Sequence, residues 1–355
     1  MSSRRPSEGL TVALLGAGGY GTALLRALLP HVREARIWDR RADLIATMTE
    51  LRYNPRYPYL RRFRFPSHLR VTGSLEEALS GADLVVVGVS VGGLADVYGG
   101  MASVWDQCSL RRPVLLGVSK GITADGLLPD QVGRAALAGR DYAYVHLAGP
   151  AFAQDLVRGS VVGLVAASED EAARQAAVSA LSGPSLWVYP WHDVRGVEAA
   201  GALRTILSVV FGGISGFPTQ VRRSTKAFVF SRASAEMGRF GLALGGDPRT
   251  FAADSPAGPA TVGDLYLCDH PGSRNWQLGR LLASGVSRDE AATKLQGTAE
   301  SVSNSRVIHD LAARMRQSDP SFELPWCEAV YQLCHQGLPV RSVVESILAR
   351  GMARA

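Results

Sequence analysis

No two of the four cysteines, Cys108, Cys268, Cys327 and Cys334, stand at a metal-ligand spacing such as CxxC. That argues against a zinc or cluster framework, and no metal is expected. No secretory leader precedes them, so reduced thiols and a cytoplasmic location are expected. No apolar run approaches the length of a bilayer crossing, so no membrane span is expected. A long basic tract and basic runs interleaved with aromatics are also missing; only Arg61, Arg62 and Arg64 cluster. A nucleic-acid partner is therefore not expected. Internal repeats and low-complexity tracts are absent too.

What remains is a chain of 355 residues, 46% hydrophobic, with a formal net charge of +6. That length allows two domains with sizeable cores. The mild basic excess fits a site for phosphorylated ligands. Met1 to Glu8 is polar and is expected to lack fixed structure.

The strongest local signal lies between Gly9 and Leu29. Apolar Leu10, Val12, Ala13, Leu14 and Leu15 run into Gly16-Ala17-Gly18-Gly19-Tyr20-Gly21, and an alanine- and leucine-rich stretch follows until Pro30. Strand, glycine turn and helix in that order suit a tight turn at Gly16, close approach to a pyrophosphate at Gly18, and helix-on-strand packing at Gly21. The phosphates would meet the unpartnered N–H groups at the helix start. A second strand, Ala35 to Arg40, ends in Asp39, about twenty residues beyond the turn, where such folds place the carboxylate for a ribose 2′-OH. Arg40 and Arg41 follow at once and would suit a 2′-phosphate. The cofactor is therefore NAD or NADP, with a slight lean to NAD.

Further strands are expected at Ala82–Val89, Pro113–Val118, Tyr142–Leu147, Val161–Ala167 and Leu186–Tyr189. Helices are expected at Asp43–Leu51, Leu75–Leu79 and Glu171–Leu181, and Tyr53–Leu69 reads as a loop. Continuous apolar strands alternating with helices describe a doubly wound α/β sheet of the Rossmann type. Lys120 follows the Pro113–Val118 strand at its carboxyl end, where ligands of open α/β sheets bind.

Beyond Pro190 only helical periodicity is found. Gly196–Phe211 suggests a buried central helix. Others are expected at Arg223–Leu244, Thr261–Leu267, Asp289–Leu295, Thr298–Met315, Trp326–Gln336 and Arg341–Met352. The expected division is 1–190 for the dinucleotide and 191–355 for an all-α substrate and catalytic domain. Within that half Glu198, Arg204, Lys226, Asp264 and Ser273-Arg274-Asn275 are polar where core is expected. Singly, each reads as a salt bridge or a cap.

Together with Gly16–Ala23, Trp38-Asp39-Arg40, Asn54-Pro55-Arg56-Tyr57, Ser119-Lys120-Gly121-Ile122, Gly149-Pro150-Ala151-Phe152-Ala153, Gly196–Arg204, Thr225-Lys226-Ala227, Gly263-Asp264-Leu265 and Glu323-Leu324-Pro325, they form an ordered set along nearly the whole chain. The set resembles the bacterial glycerol-3-phosphate dehydrogenase family. The resemblance implies reversible, nicotinamide-dependent reduction of dihydroxyacetone phosphate, a helical substrate domain and a homodimer. It implies that Gly16, Gly18, Gly19, Tyr20, Gly21 and Arg40 hold the dinucleotide, with Ala153 and Glu300 as further contacts. It places Lys120, Gly149, Asp264, Ser273, Arg274 and Asn275 at the substrate or the reactive end. Arg274 suits a phosphate, because guanidinium offers a planar fork of donors; it could also touch the cofactor.

The chain departs from the family at its catalytic lysine, which is Arg204 here, with Thr205 in place of asparagine. Ala151 stands where serine is common, and Ser90-Val91 replaces a proline-serine turn. Arginine keeps its proton at any working pH, so it can polarise a carbonyl but is a poor acid. Lys120, Lys226 or a water would then deliver the proton. Arg204 could instead grip a carboxylate, giving a related dehydrogenase with a changed acidic substrate. It could also mark a weakly catalytic nucleotide-binding homologue.

Overall fold

The computed structural model describes residues 9–216, 223–295 and 299–353. Met1 to Glu8 and the Thr298 start of one expected helix lie outside them. By its contacts the chain divides into two compact units. The first is Met1–Ser119 with Pro129–Val194; the second is Lys120–Leu128 with Arg195–Ala355. The segment Lys120–Leu128 thus packs with the helical half, which a single cut at residue 190 does not anticipate.

The first unit is one eight-stranded sheet. Its strands are β1 (Leu10–Leu15), β2 (Val32–Trp38), β3 (Leu69–Thr72), β4 (Leu84–Val87), β5 (Val114–Gly117), β6 (Ala143–Ala148), β7 (Val162–Ala167) and β8 (Leu186–Trp191). Their spatial order is β3-β2-β1-β4-β5-β6-β7-β8. All neighbours are parallel except β6 and β7. Strands β4, β5 and β6 are buried throughout, as their unbroken apolar runs predict. The order reverses at β1, so the crevice beyond β1 and β4 is the switch point at which such sheets take a ligand.

Tyr53–Leu69 is more structured than a loop. It carries a 3-10 turn at Pro58–Arg62, and Leu60, Phe63 and Phe65 join the sheet's core. With proline at three positions and no regular period, its apolar residues give no helical or strand signal. The unexpected helix Leu94–Val104 buries Leu94, Val97, Tyr98 and Met101, an i, i+3, i+4, i+7 stripe. Gly99 and Gly100 lower its propensity and hide it.

Among the described residues the second unit has helices and no strand. Its centre is the Val194–Gly216 helix, which is long and apolar enough to cross a membrane. That corrects the expectation that no such run exists. Its apolar stretch is 83% buried within the protein, which is the position of a core helix. Around it the Arg223–Ala243, Arg274–Ala283, Glu300–Ser318 and Pro325–Tyr331 helices close a second apolar core. The Arg274–Ala283 helix, also unexpected, crosses the central helix at a glycine pair. A Cβ on Gly212 would lie 1.9 Å from the Trp276 carbonyl oxygen, and one on Gly279 would lie 1.9 Å from that of Val209. No other residue allows the two backbones so close. The crossing fixes Arg204, on one helix, relative to Arg274 on the other.

Candidate active site

In the first unit the glycine turn has the expected geometry. Gly16 has φ +93°, the left-handed side, and its N–H donates to the Trp38 carbonyl at 2.8 Å. The helix Gly19–Leu28 starts without a side-chain cap. A helix start of this kind is where a phosphate would be met. A Cβ on Gly21 would press Leu14 of β1 at 2.8 Å, so helix and strand pack there at minimum separation. Gly19 lies under Tyr57 and Tyr59, and Tyr20 is the second residue of the helix.

The turn is braced from two sides. Asn54, fully buried, donates to the Ala17 carbonyl at 3.0 Å and to Thr22 Oγ1 at 3.2 Å. Nothing local in the Asn-Pro block assigns it a role; only a contact across 37 residues reveals one. Asp39 supplies the other brace. Its Oδ2 accepts from Ala17 N–H and Arg41 Nη2, and its Oδ1 accepts from Arg41 N–H and Nε. Burial pushes the Asp39 carboxyl up, but the hydrogen bonds from Arg41 and Ala17 outweigh it and leave it below its ordinary range. A carboxylate has about four acceptor sites, and all of them are taken. Asp39 thus braces the turn, and Arg40 beside it is exposed. The residues at the turn fit a dinucleotide pyrophosphate.

Gly149, expected at the substrate or reactive end, and Ala153, expected at the cofactor, also belong to the first unit. Gly149 is buried at φ +146°, and a Cβ there would strike the Gly163 carbonyl of β7 at 2.7 Å. That contact alone explains the glycine. Ala153 begins the Ala153–Arg158 helix and is half-buried.

The second unit brings Lys120, Arg204 and Asp264 together. Lys120 Nζ donates to Asp264 Oδ2 at 2.5 Å, and Arg204 Nε forms an ion pair with the same oxygen at 3.2 Å. Asp264 is 1% exposed, while the Lys120 and Arg204 side chains are 14% and 21% exposed. Asp264 opens the short Asp264–Leu267 helix, directly after a wide π-turn at Pro259–Gly263. Among the described residues Asp264 Oδ1 and Arg204 Nε are buried without a hydrogen-bond partner. Buried orphan groups of this kind call for a ligand or a bound water.

Charge is distributed to a purpose. Burial pulls the Lys120 ammonium below its ordinary value, Arg204 pulls it further, and Asp264 opposes both. Burial is the largest influence on Arg204 and lowers it, but Asp264, Cys268 and Glu300 together outweigh burial, so Arg204 stays charged. Glu300 is exposed as a residue, yet burial around its carboxyl pushes it up against the pull of Arg204, Arg274 and Lys120.

Other expected residues have contacts of their own. Ser273 caps the Arg274–Ala283 helix, accepting from Trp276 N–H at 3.4 Å, and shares a 3.0 Å hydrogen bond with Ser208. Asn275 Oδ1 accepts from Ser301 N–H at 3.2 Å and so holds the first turn of the Glu300–Ser318 helix. Arg274 is exposed on the first turn of its own helix. Thr205 is buried, donating to the Ala202 carbonyl and accepting from Asn304 Nδ2 at 2.9 Å. Lys226 binds Asp269 at 2.8 Å, not Asp264. Trp276 Nε1 donates to that same Asp269 at 2.9 Å, so Lys226 belongs to a separate cluster.

Two protein-family models cover the chain. One, described as the NAD-dependent glycerol-3-phosphate dehydrogenase N-terminus, matches residues 11–174; the other, its C-terminus, matches 193–345. A glycerol-3-phosphate dehydrogenase of the NAD(P)+ type from Herminiimonas arsenicoxydans is 34% identical over 346 residues, 96% of this chain and 98% of that protein. One from Alcanivorax borkumensis is 32% identical over 341 residues, 95% and 93% of the two chains. The crystal structure of glycerol-3-phosphate dehydrogenase from Coxiella burnetii superposes with a TM-score of 0.84 at 26% identity, covering 96% of this chain and 99% of that one. A glycerol-3-phosphate dehydrogenase from Saccharomyces cerevisiae shares the fold, with a TM-score of 0.79 at 19% identity.

Proposed function

The chain belongs to the NAD-dependent glycerol-3-phosphate dehydrogenase family, and from that premise we propose that it interconverts sn-glycerol 3-phosphate and dihydroxyacetone phosphate with Arg204 as electrophile and Lys120 as acid. One observation carries the reading: a buried carboxylate, Asp264, holds a lysine and an arginine on the same oxygen and leaves its other oxygen unpartnered among the described residues. A bound nicotinamide supplies or takes up the hydride; charge and protons are left to side chains.

In the reducing direction negative charge grows on the ketone oxygen. Arg204, always cationic and partly open, stabilises it without surrendering a proton. Lys120, whose ammonium is made more acidic by burial and by Arg204, delivers the proton and takes it back in the oxidising direction. Asp264 keeps both cations in place, and its Oδ1 accepts from a substrate hydroxyl. Arg274, backed by the first turn of its helix, takes the phosphate. Asn275, its oxygen committed to Ser301, offers its amide N–H groups. Lys226 is not assigned a catalytic part. Residues 1–190 hold the cofactor and the helical half, with Lys120, holds the substrate. The working form is proposed to be a cytoplasmic homodimer.

The test is oxidation of NADH and NADPH, followed by absorbance, with dihydroxyacetone phosphate. Turnover with at least one of them supports the proposal. Cofactor binding without turnover, or turnover only with a keto acid, would favour the homologue with lost chemistry or with an acidic substrate gripped by Arg204.

Cofactor choice is proposed to rest with Arg40. Because Asp39 spends its acceptors on Ala17 and Arg41, the acid that would reward a free 2′-OH is silenced, and Arg40 favours a 2′-phosphate. Arg40→Ser should cut kcat/KM for NADPH about tenfold, the worth of one exposed charge-assisted contact, and change that for NADH less than about threefold. Equal losses with both cofactors would count against this assignment.

A further inference from the structure

Arg204 is held at two points, and only one of them is Asp264. Its Nη1 also donates to Cys268 Sγ at 3.2 Å. The Cys268 thiol donates in turn to the Asp264 carbonyl at 3.1 Å. Asp264 and Cys268 are four residues apart around a single helical turn, which places both on the face turned to Arg204. Cys268 is 1% exposed, and burial holds its thiol above the ordinary value, so the sulfur keeps the proton it donates to Asp264 while accepting from Arg204. A guanidinium held by Asp264 alone could swing about the Nε contact, since that contact is an ion pair without a hydrogen bond. The sulfur contact removes that freedom. With Nε facing Asp264 and Nη1 bound to Cys268, Nη2 is the nitrogen for which the described residues provide neither contact.

We propose that Cys268 is a positioning residue: its sulfur fixes the Arg204 guanidinium so that Nη2 faces the substrate oxygen where charge develops. This rests on the functional reading above. It also ties two unusual features of the chain together. An arginine at the position of the family's catalytic lysine needs an acceptor for a second nitrogen, and Cys268 is that acceptor. A lysine ammonium, bound to Asp264 as a point charge, would have no comparable orientation to hold.

The experiment compares Cys268→Ser, Cys268→Ala and Cys268→Val in steady-state reduction of dihydroxyacetone phosphate, with thermal unfolding of each variant. Serine keeps an acceptor, and kcat should stay within about threefold of the parent. Alanine, and valine, which keeps the volume, should lower kcat about tenfold with KM changed less than about threefold, as expected when an interaction matters mainly in the transition state. Repeating Cys268→Ala on an Arg204→Lys background should abolish most of that loss, because no guanidinium remains to be aimed. Three results would overturn the inference and leave the functional reading intact: unchanged kcat in both apolar variants, losses that follow thermal stability alone, or an equal loss on the Arg204→Lys background. A parent protein that turns over nothing with either cofactor removes both.

Discussion

Asp264→Asn should lower ketone reduction at neutral pH by about a thousandfold while leaving dinucleotide binding nearly unchanged. The substitution keeps the shape and removes the charge on which Lys120 and Arg204 both rest, at 2.5 and 3.2 Å. Two largely buried cations are then left facing one another. Breaking a buried ion pair from one side costs about 3–5 kcal/mol, so thermal stability should fall as well. The chemical loss follows from the sign of the electrostatics. Asp264 is the group that raises Lys120, opposing burial and Arg204. Without it the ammonium gives up its proton at a lower pH, so less acid remains to serve the ketone. The check is the pH profile. Activity of the asparagine variant should recover partly as pH falls, whereas a protein that had merely lost stability would not recover. A variant with parental kcat would show that the cluster stands outside the chemistry.

Lys120→Met should lower kcat for reduction by about a hundredfold to a thousandfold, within the range that a positioned general acid contributes. Methionine keeps the length and the apolar stem but removes the proton donor. In the parent protein reduction needs the ammonium, so its kcat should fall as pH rises through the Lys120 value, which lies below that of an ordinary lysine. Oxidation needs the neutral amine, so its kcat should rise over the same interval. The methionine variant should lose both limbs together. Retention of the parental pH profile would assign the proton to water or to another group. Lys226 is a poor candidate for it, because its ammonium is committed to Asp269.

Much of the fold was legible because its signals are local. Unbroken apolar runs mark β4, β5 and β6, and the turn Gly16–Gly21 sits between strand and helix as its spacing requires. The Glu171–Leu181 helix falls where its period places it. The helix Leu94–Val104 was hidden by two glycines in its middle, although its buried stripe was there to be read. Lys120, Arg204 and Asp264 could be nominated from ordered motifs, since each is polar where apolar residues prevail. Cys268 could not, because a lone cysteine on a short helix carries no signal until its neighbour across 64 residues is known.

The amino-acid sequence alone determined the two-part architecture and the glycine turn between strand and helix. Those depend on periodicity and on residue chemistry, and both are properties of the chain itself. Only the tertiary structure decided the partners. Asp39 joins Ala17 and Arg41, Lys226 joins Asp269 instead of Asp264, and Lys120 packs with the helical half. The reason is range: hydrogen bonds and ion pairs act over a few ångströms, so which charges meet depends on how distant segments pack, and no spacing along the chain encodes it.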